Sequence, residues 1–172
     1  MVLQGFVGSI QANSHSDFVL SMNNSRGKLS KSRRRLPHWE LGGATYFVTF
    51  RLLKGVLSDK ECQIVLDHLI DGEGVFYNLP IAVVMPDHCH LLIRPKPSYD
   101  LPRVMRGIKG VSARLINHSR GTTGSIWQDE SQDRIVRNED EAIEKAQYIF
   151  DNPRRAELVD NPLNYPFLYS SA

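Results

Sequence analysis

The sequence predicts an α+β fold, an antiparallel sheet with helices packed on one face. Three observations predict it. Short stretches dense in β-branched and aromatic residues alternate with longer stretches of helical apolar period. Each of the longer stretches opens on a capping residue: Ser58, Asp100 or Asn138. Gly- and Pro-containing turns separate the pieces.

Taken in order, residues 1–30 are rich in Ser, Asn and Gly without a sustained period, so disorder is expected there. Residues 44–53 read as the first strand. Ser58-Asp-Lys-Glu61 is a capping box that opens a helix to about Ile70, and Asp71-Gly-Glu-Gly74 ends it. Residues 75–85 read as a second strand, interrupted near Asn78 to Pro80. Pro86-Asp87 makes a turn and residues 88–94 return as a third strand. Asp100 caps a long helix to about Ser119. Residues 126–128 and 134–137 look like short strands. Asn138 caps a last helix from Glu139 to about Asn152, which Pro153 stops. The order β-α-β-β-α-β-α is that of ferredoxin-like sandwiches. Residues 1–32 are expected to form a basic arm and 33–172 the folded domain. Met22 is an alternative start.

At 172 residues the chain is long enough to bury a core without staples. The 41% apolar and 23% charged fractions are those of a soluble protein. No apolar run reaches the length of a membrane span, and the N-terminus lacks a secretory pattern, so a cytoplasmic protein is expected. The two cysteines, Cys62 and Cys89, suit a reducing compartment. The net charge of +2 conceals an asymmetry. Residues 1–35 carry six bases and one acid, leaving 15 bases against 18 acids elsewhere. The basic arm suits contact with a polyanion, or is simply a solvated leader.

Side chains alternate across a strand, so His88, His90 and Leu92 share one face. Cys89, Leu91 and Ile93 share the other, where Cys89 behaves as a small apolar residue. Positions two apart on a strand are about 6.7 Å from each other, which lets two imidazoles converge on one ion. A bare His-x-His is also what two surface histidines look like. Zinc suits imidazole, but no Cys/His quartet of structural-zinc spacing is present, so a third ligand must come from elsewhere.

The last helix supplies a candidate. On a helical wheel Ala142, Ile143, Ala146, Ile149 and Phe150 fill a sector about 120° wide, the expected core face. Tyr148 and Asn152 fall in the opposite half, one turn apart. A tyrosine there packs on the surface or against a neighbouring element. Beside a metal, its phenol can be activated to attack phosphorus. Asn152 can offer an amide oxygen to the same ion, leaving positions open for a phosphate oxygen.

These residues resemble a known family. Met85-Pro-Asp-His-Cys-His-Leu-Leu-Ile93 resembles the HUH segment of single-tyrosine, insertion-sequence-200-like transposases, and Tyr148-Ile-Phe-Asp-Asn152-Pro153 resembles their nucleophile helix. Arg35-Leu-Pro-His-Trp39, Tyr46-Phe-Val-Thr-Phe50, Ile126-Trp-Gln128, Asp133-Arg-Ile-Val-Arg137, Asn152-Pro-Arg-Arg-Ala156 and Tyr169-Ser-Ser-Ala172 are similar to REP-associated tyrosine transposases. The resemblance spans residues 33–172 and implies a ferredoxin-like HUH domain. It implies Mg²⁺ or Mn²⁺ held by His88, His90 and Asn152. It implies Tyr148 as nucleophile on single-stranded or hairpin DNA, with a 5′-phosphotyrosine intermediate, a released 3′-hydroxyl and no nucleotide cofactor. A monomer is expected. Cys89 stands where the family carries a bulkier aliphatic residue.

For DNA contact, the helix from Leu101 divides into an apolar arc (Leu101, Val104, Met105, Ile108, Val111, Leu115, Ile116) and a basic one. Arg103, Arg106, Lys109 and Arg114 in the basic arc would meet backbone phosphates, or form a solvated face. Arg134, Arg137, Arg154 and Arg155 add charge near the site, and Arg33, Arg34 and Arg35 suit a hairpin stem. Trp127 reads as a core residue rather than a stacking platform for a base. Two alternatives remain: a catalytically silent DNA-binding protein of the same fold, and a metal-dependent hydrolase with no covalent step.

Overall fold

The computed structural model describes residues 29–31, 39–41 and 43–171. Strands β1 (Leu29–Lys31) and β2 (Trp39–Leu41) pair with each other antiparallel. Arg33, Arg34 and Arg35 and most of the expected basic arm lie outside the described residues.

The principal sheet has five antiparallel strands in the order β6-β3-β5-β4-β7. They are β3 (Tyr46–Arg51), β4 (Tyr77–Val84), β5 (His88–Pro95), β6 (Gln132–Ile135) and β7 (Leu168–Ser170). The helices are α1 (Asp59–Gly72), α2 (Leu101–Arg120) and α3 (Glu139–Arg155). The expected α+β order is therefore present, with three departures. Residues 126–128 make only a single bridge, Leu52 to Trp127. Strand β7, which its three residues are too short to announce, closes the edge beside β4. Pro153 lies inside α3, and the helix runs on to Arg155.

The interruption expected in the second strand is a register shift between Asn78 and Ile81. Pro80 has no N–H to give the ladder, and the neighbouring Leu79 N–H donates to the Glu73 carboxylate instead. Residue Gly74 beside it takes the left-handed φ of 74° that ends the α1 connection.

Residues opposite each other on paired strands share a face. Thr49 and Val83 both stand opposite His90, and Phe50 and Val84 both stand opposite Cys89. The Cys89 face is covered by α1 and α2. There Phe50 meets Trp127 edge-on, and Trp127 Nε1 donates to Ser112 of α2. Tyr77 Oη donates to the Leu69 carbonyl of α1. The His90 face is covered by α3, whose Tyr148 touches Phe47 and His90. Helices thus lie on both faces, not on one as the sequence suggests. Strand β5 is apolar on both faces beyond His90, with Leu91, Leu92 and Ile93 fully buried. Two-sided burial of this kind calls for a covering layer on each side.

Trp127 is a core residue, as expected. On α2, Leu115 is exposed and Ser112 is buried in the apolar stripe. The serine is tolerated because its hydroxyl donates to the Ile108 carbonyl while accepting from Trp127.

One ion pair ties the first helix layer together. Glu61 closes the Ser58 capping box and takes two bonds from Arg120 at the end of α2, 2.5 Å from Nε and 3.0 Å from Nη2. The Arg120 hydrogen bond is the chief cause of a Glu61 pKa held down at about 2. A depressed carboxylate pKa contributes stability above its unfolded value, lost as pH falls through the folded one. Glu61→Gln is therefore expected to lower the unfolding free energy by roughly 2 kcal/mol at pH 7. In urea titrations the difference from wild type should fade between about pH 4.5 and pH 2.

Candidate active site

The pleat of β5 aims His88 and His90 at the same side, and their Nε2 atoms are 3.1 Å apart. Both Nδ1 atoms are occupied. His88 Nδ1 lies 2.6 Å from Asp87 Oδ1, and His90 Nδ1 lies 2.7 Å from Thr49 Oγ1. The carboxylate accepts, so His88 carries a proton on Nδ1 and turns its Nε2 towards His90. Asp87 is itself held 3.5 Å from Arg51. His90 is buried, and burial first, then the charge of His88, pushes its pKa down to about 3. It is neutral at physiological pH, the form that binds metals.

Two imidazole nitrogens 3.1 Å apart fit one ion. At about 2.1 Å from each, the ion would see them at roughly 95°, near the right angle of an octahedral site. Partners on both outer nitrogens are what fixes metal-binding histidines in place. Among the described residues no group of three His, Cys, Asp or Glu side chains forms a metal site. An amide oxygen is a further donor type that could join two imidazoles on one ion.

Helix α3 begins at Asn138, whose side chain accepts from the Glu141 N–H. Its buried line runs through Ala142, Ile149, Asn152 and Pro153. Asn152 is thus buried, whereas the wheel put it opposite the core. The sheet meets α3 on a face rotated towards Tyr148, because the His90 strand is part of what the helix covers. Tyr148 is half-buried on the edge of this contact. Its ring is 5.2 Å from the His90 ring and 5.9 Å from Phe47, edge-on to both. Phe47 in turn stacks on His90 at 5.6 Å, and Lys145 Nζ stands 5.8 Å from the Phe47 ring centre. Arg155 Cζ lies 5.0 Å over the Tyr148 ring.

The proposed DNA-contacting cations divide between the two faces. Arg134 stands opposite Phe47 on the Tyr148 face and pairs with Glu141 at 2.7 Å. Arg155 reaches Tyr148 itself. Arg137 is exposed at the start of α3, and Arg154 is exposed and 3.2 Å from Asp151. Arg103, Arg106 and Lys109 belong to α2, behind the sheet. There Arg106 and Lys109 border a cleft of about 610 Å³ whose other wall includes Gln128 and Asp133. Arg103 lies over Tyr99, and Lys109 donates to the Asp129 carbonyl.

Sequence reasoning missed Thr49 and Asp87 as partners of the histidines. The pairing of residues 46–51 with 88–93 would have placed Thr49 beside His90, but register is not visible before the strands are paired. Thr49→Val keeps the shape and removes the hydroxyl. It is expected to weaken Mn²⁺ binding by about 10-fold or more, read by isothermal titration.

Comparison with known proteins adds three findings. The family described as "Transposase IS200 like" matches residues 52–151, which include His88, His90 and Tyr148 and stop one residue before Asn152. A REP-associated tyrosine transposase solved bound to a REP hairpin is similar at 24% identity and a TM-score of 0.63, over 81% of this chain and 81% of that one. A Deinococcus radiodurans R1 protein solved as a candidate transposase is 22% identical over 70% of this chain and 95% of that one, at a TM-score of 0.41. No curated protein matches.

Proposed function

The chain belongs to the IS200-like transposase family, and from that premise we propose that it cuts and rejoins single-stranded DNA at hairpins through a covalent tyrosine intermediate. The observation that carries this reading is the meeting of Tyr148 with His90, whose Nε2 converges with that of His88.

Chemically, the Tyr148 oxygen forms a bond to the scissile phosphorus and the P–O3′ bond breaks. The phenolic proton is lost, and the departing 3′-oxygen takes up a proton as a free hydroxyl. The product is a 5′-phosphotyrosine, and attack by a second strand's 3′-hydroxyl reverses the exchange. Bond count and charge balance without a nucleotide cofactor. His88, His90 and Asn152 would hold Mg²⁺ or Mn²⁺, which when bound polarises the phosphate and offsets its developing charge. Asp87 and Thr49 keep the imidazoles aimed. Phe47 and His90 hold the Tyr148 ring edge-on, so that few rotamers are left to it.

A monomer acting on palindromic DNA is part of this proposal, and the solved hairpin complex of a similar fold supports hairpins as the first substrates to try. The test is incubation with single-stranded palindromic oligonucleotides and Mn²⁺, followed by a denaturing gel. A DNA–protein adduct supports the reading. Cleavage without any adduct would favour a hydrolase, and tight binding of a cognate hairpin without cleavage would favour a silent DNA-binding protein.

A further inference from the structure

We propose that Arg155 is a catalytic residue, holding the non-bridging oxygens of the scissile phosphate against Tyr148. The inference rests on the tyrosine-nucleophile reading above and deepens it.

Four observations place it there. Arg155 is seven residues after Tyr148, two helical turns, so both lie on nearly the same face of α3. That register exists only because α3 continues through Pro153 to Arg155. Had the helix ended at Asn152, the guanidinium would not be in line with the nucleophile. The Arg155 side chain turns back along the helix, its Cζ 5.0 Å over the Tyr148 ring. Finally, the nearest acid on the helix is engaged elsewhere: Asp151 pairs with Arg154 at 3.2 Å. Among the described residues, Arg155 has no carboxylate partner. Lys145, the other cation of this corner, is by contrast 2.6 Å from Glu144.

An exposed guanidinium with no acid to satisfy it presents a planar fork of donors, the geometry that fits two phosphate oxygens at once. Contact with the Tyr148 ring limits the entropy cost of holding it there. As the Tyr148 oxygen bonds to phosphorus and the P–O3′ bond breaks, negative charge rests on those non-bridging oxygens. A fixed cation there stabilises the transition state more than the bound strand. The phosphotyrosine product keeps the same two oxygens, so Arg155 also serves the reverse step.

The test measures single-turnover adduct formation at saturating oligonucleotide, with Mn²⁺, for wild type and Arg155→Ala. The expected result is a rate about 100-fold lower, with oligonucleotide affinity changed by less than about 10-fold. Added guanidinium ion at millimolar concentration should recover part of the lost rate, which restored folding would not do. Arg155→Lys, a point charge without the fork, should fall between the two. An Arg155→Ala rate equal to wild type at saturation would overturn the proposal, reducing Arg155 to a backbone contact. A slower rate that guanidinium does not raise, with a lowered melting temperature, would overturn it too, as a structural effect. Failure of wild type to form any adduct is seen before a variant is made and refutes the nucleophile reading itself.

Discussion

Tyr148→Phe is expected to remove the DNA–protein adduct and to lower the rate of strand cleavage by at least about a thousandfold. The substitution deletes one oxygen and little else. The phenyl ring keeps its edge-on contacts with Phe47 and His90 and its place beneath Arg155. The Phe variant should therefore melt near the wild-type temperature and still bind oligonucleotide. Gel analysis with labelled DNA reads the loss, and a mobility shift on the same DNA reads retained binding. Cleavage that persists at more than about a tenth of the wild-type rate would transfer the nucleophile's role to water.

The second large effect concerns the histidine pair. His88→Ala and His90→Ala should each reduce Mn²⁺-dependent cleavage by more than about 100-fold, because each removes one of the proposed metal ligands. The two variants differ in stability. His90 is buried, stacks on Phe47 and holds the Thr49 hydroxyl. Its removal leaves a cavity and an unsatisfied hydroxyl, so a loss of about 2–4 kcal/mol is expected in urea unfolding. His88 sits at the strand start beside Asp87, its side chain 14% exposed, outside the buried apolar core. His88→Ala should change stability by under about 1 kcal/mol. Equal destabilisation with unaltered cleavage would show that the pair is structural.

How much of this was legible in the sequence follows from which distances are local. The strand alternation placed His88 and His90 together and Cys89 in the core, since both follow from neighbours in the chain. The helix caps at Ser58, Asp100 and Asn138 were legible for the same reason. Contacts across the sheet were not. Nothing local says that α3 takes the face opposite α1 and α2, and this choice is what buries Asn152 and brings Tyr148 to His90. Nor does the sequence separate Arg134 and Arg155, which reach the Tyr148 side, from Arg103, Arg106 and Lys109, which lie behind the sheet. Pro153 misled because proline usually ends a helix by removing an N–H. At this end the following turn is closed by other bonds: the Ala156 N–H reaches the Asn152 carbonyl and the Leu158 N–H reaches that of Pro153.

In the proposed reaction a phosphate between Tyr148, Arg155 and the two imidazole nitrogens would meet a nucleophile, a cation and a metal on the α3 side of the sheet.

The central claim is that one oxygen, that of Tyr148, becomes bonded to DNA. The most direct measurement is tandem mass spectrometry of the protein after reaction with a hairpin oligonucleotide and Mn²⁺, followed by protease and nuclease digestion. The account predicts a 5′-linked nucleotide on the peptide containing Tyr148, and on that residue. A nucleotide on any other side chain, or cleaved DNA with every peptide unmodified, would contradict it.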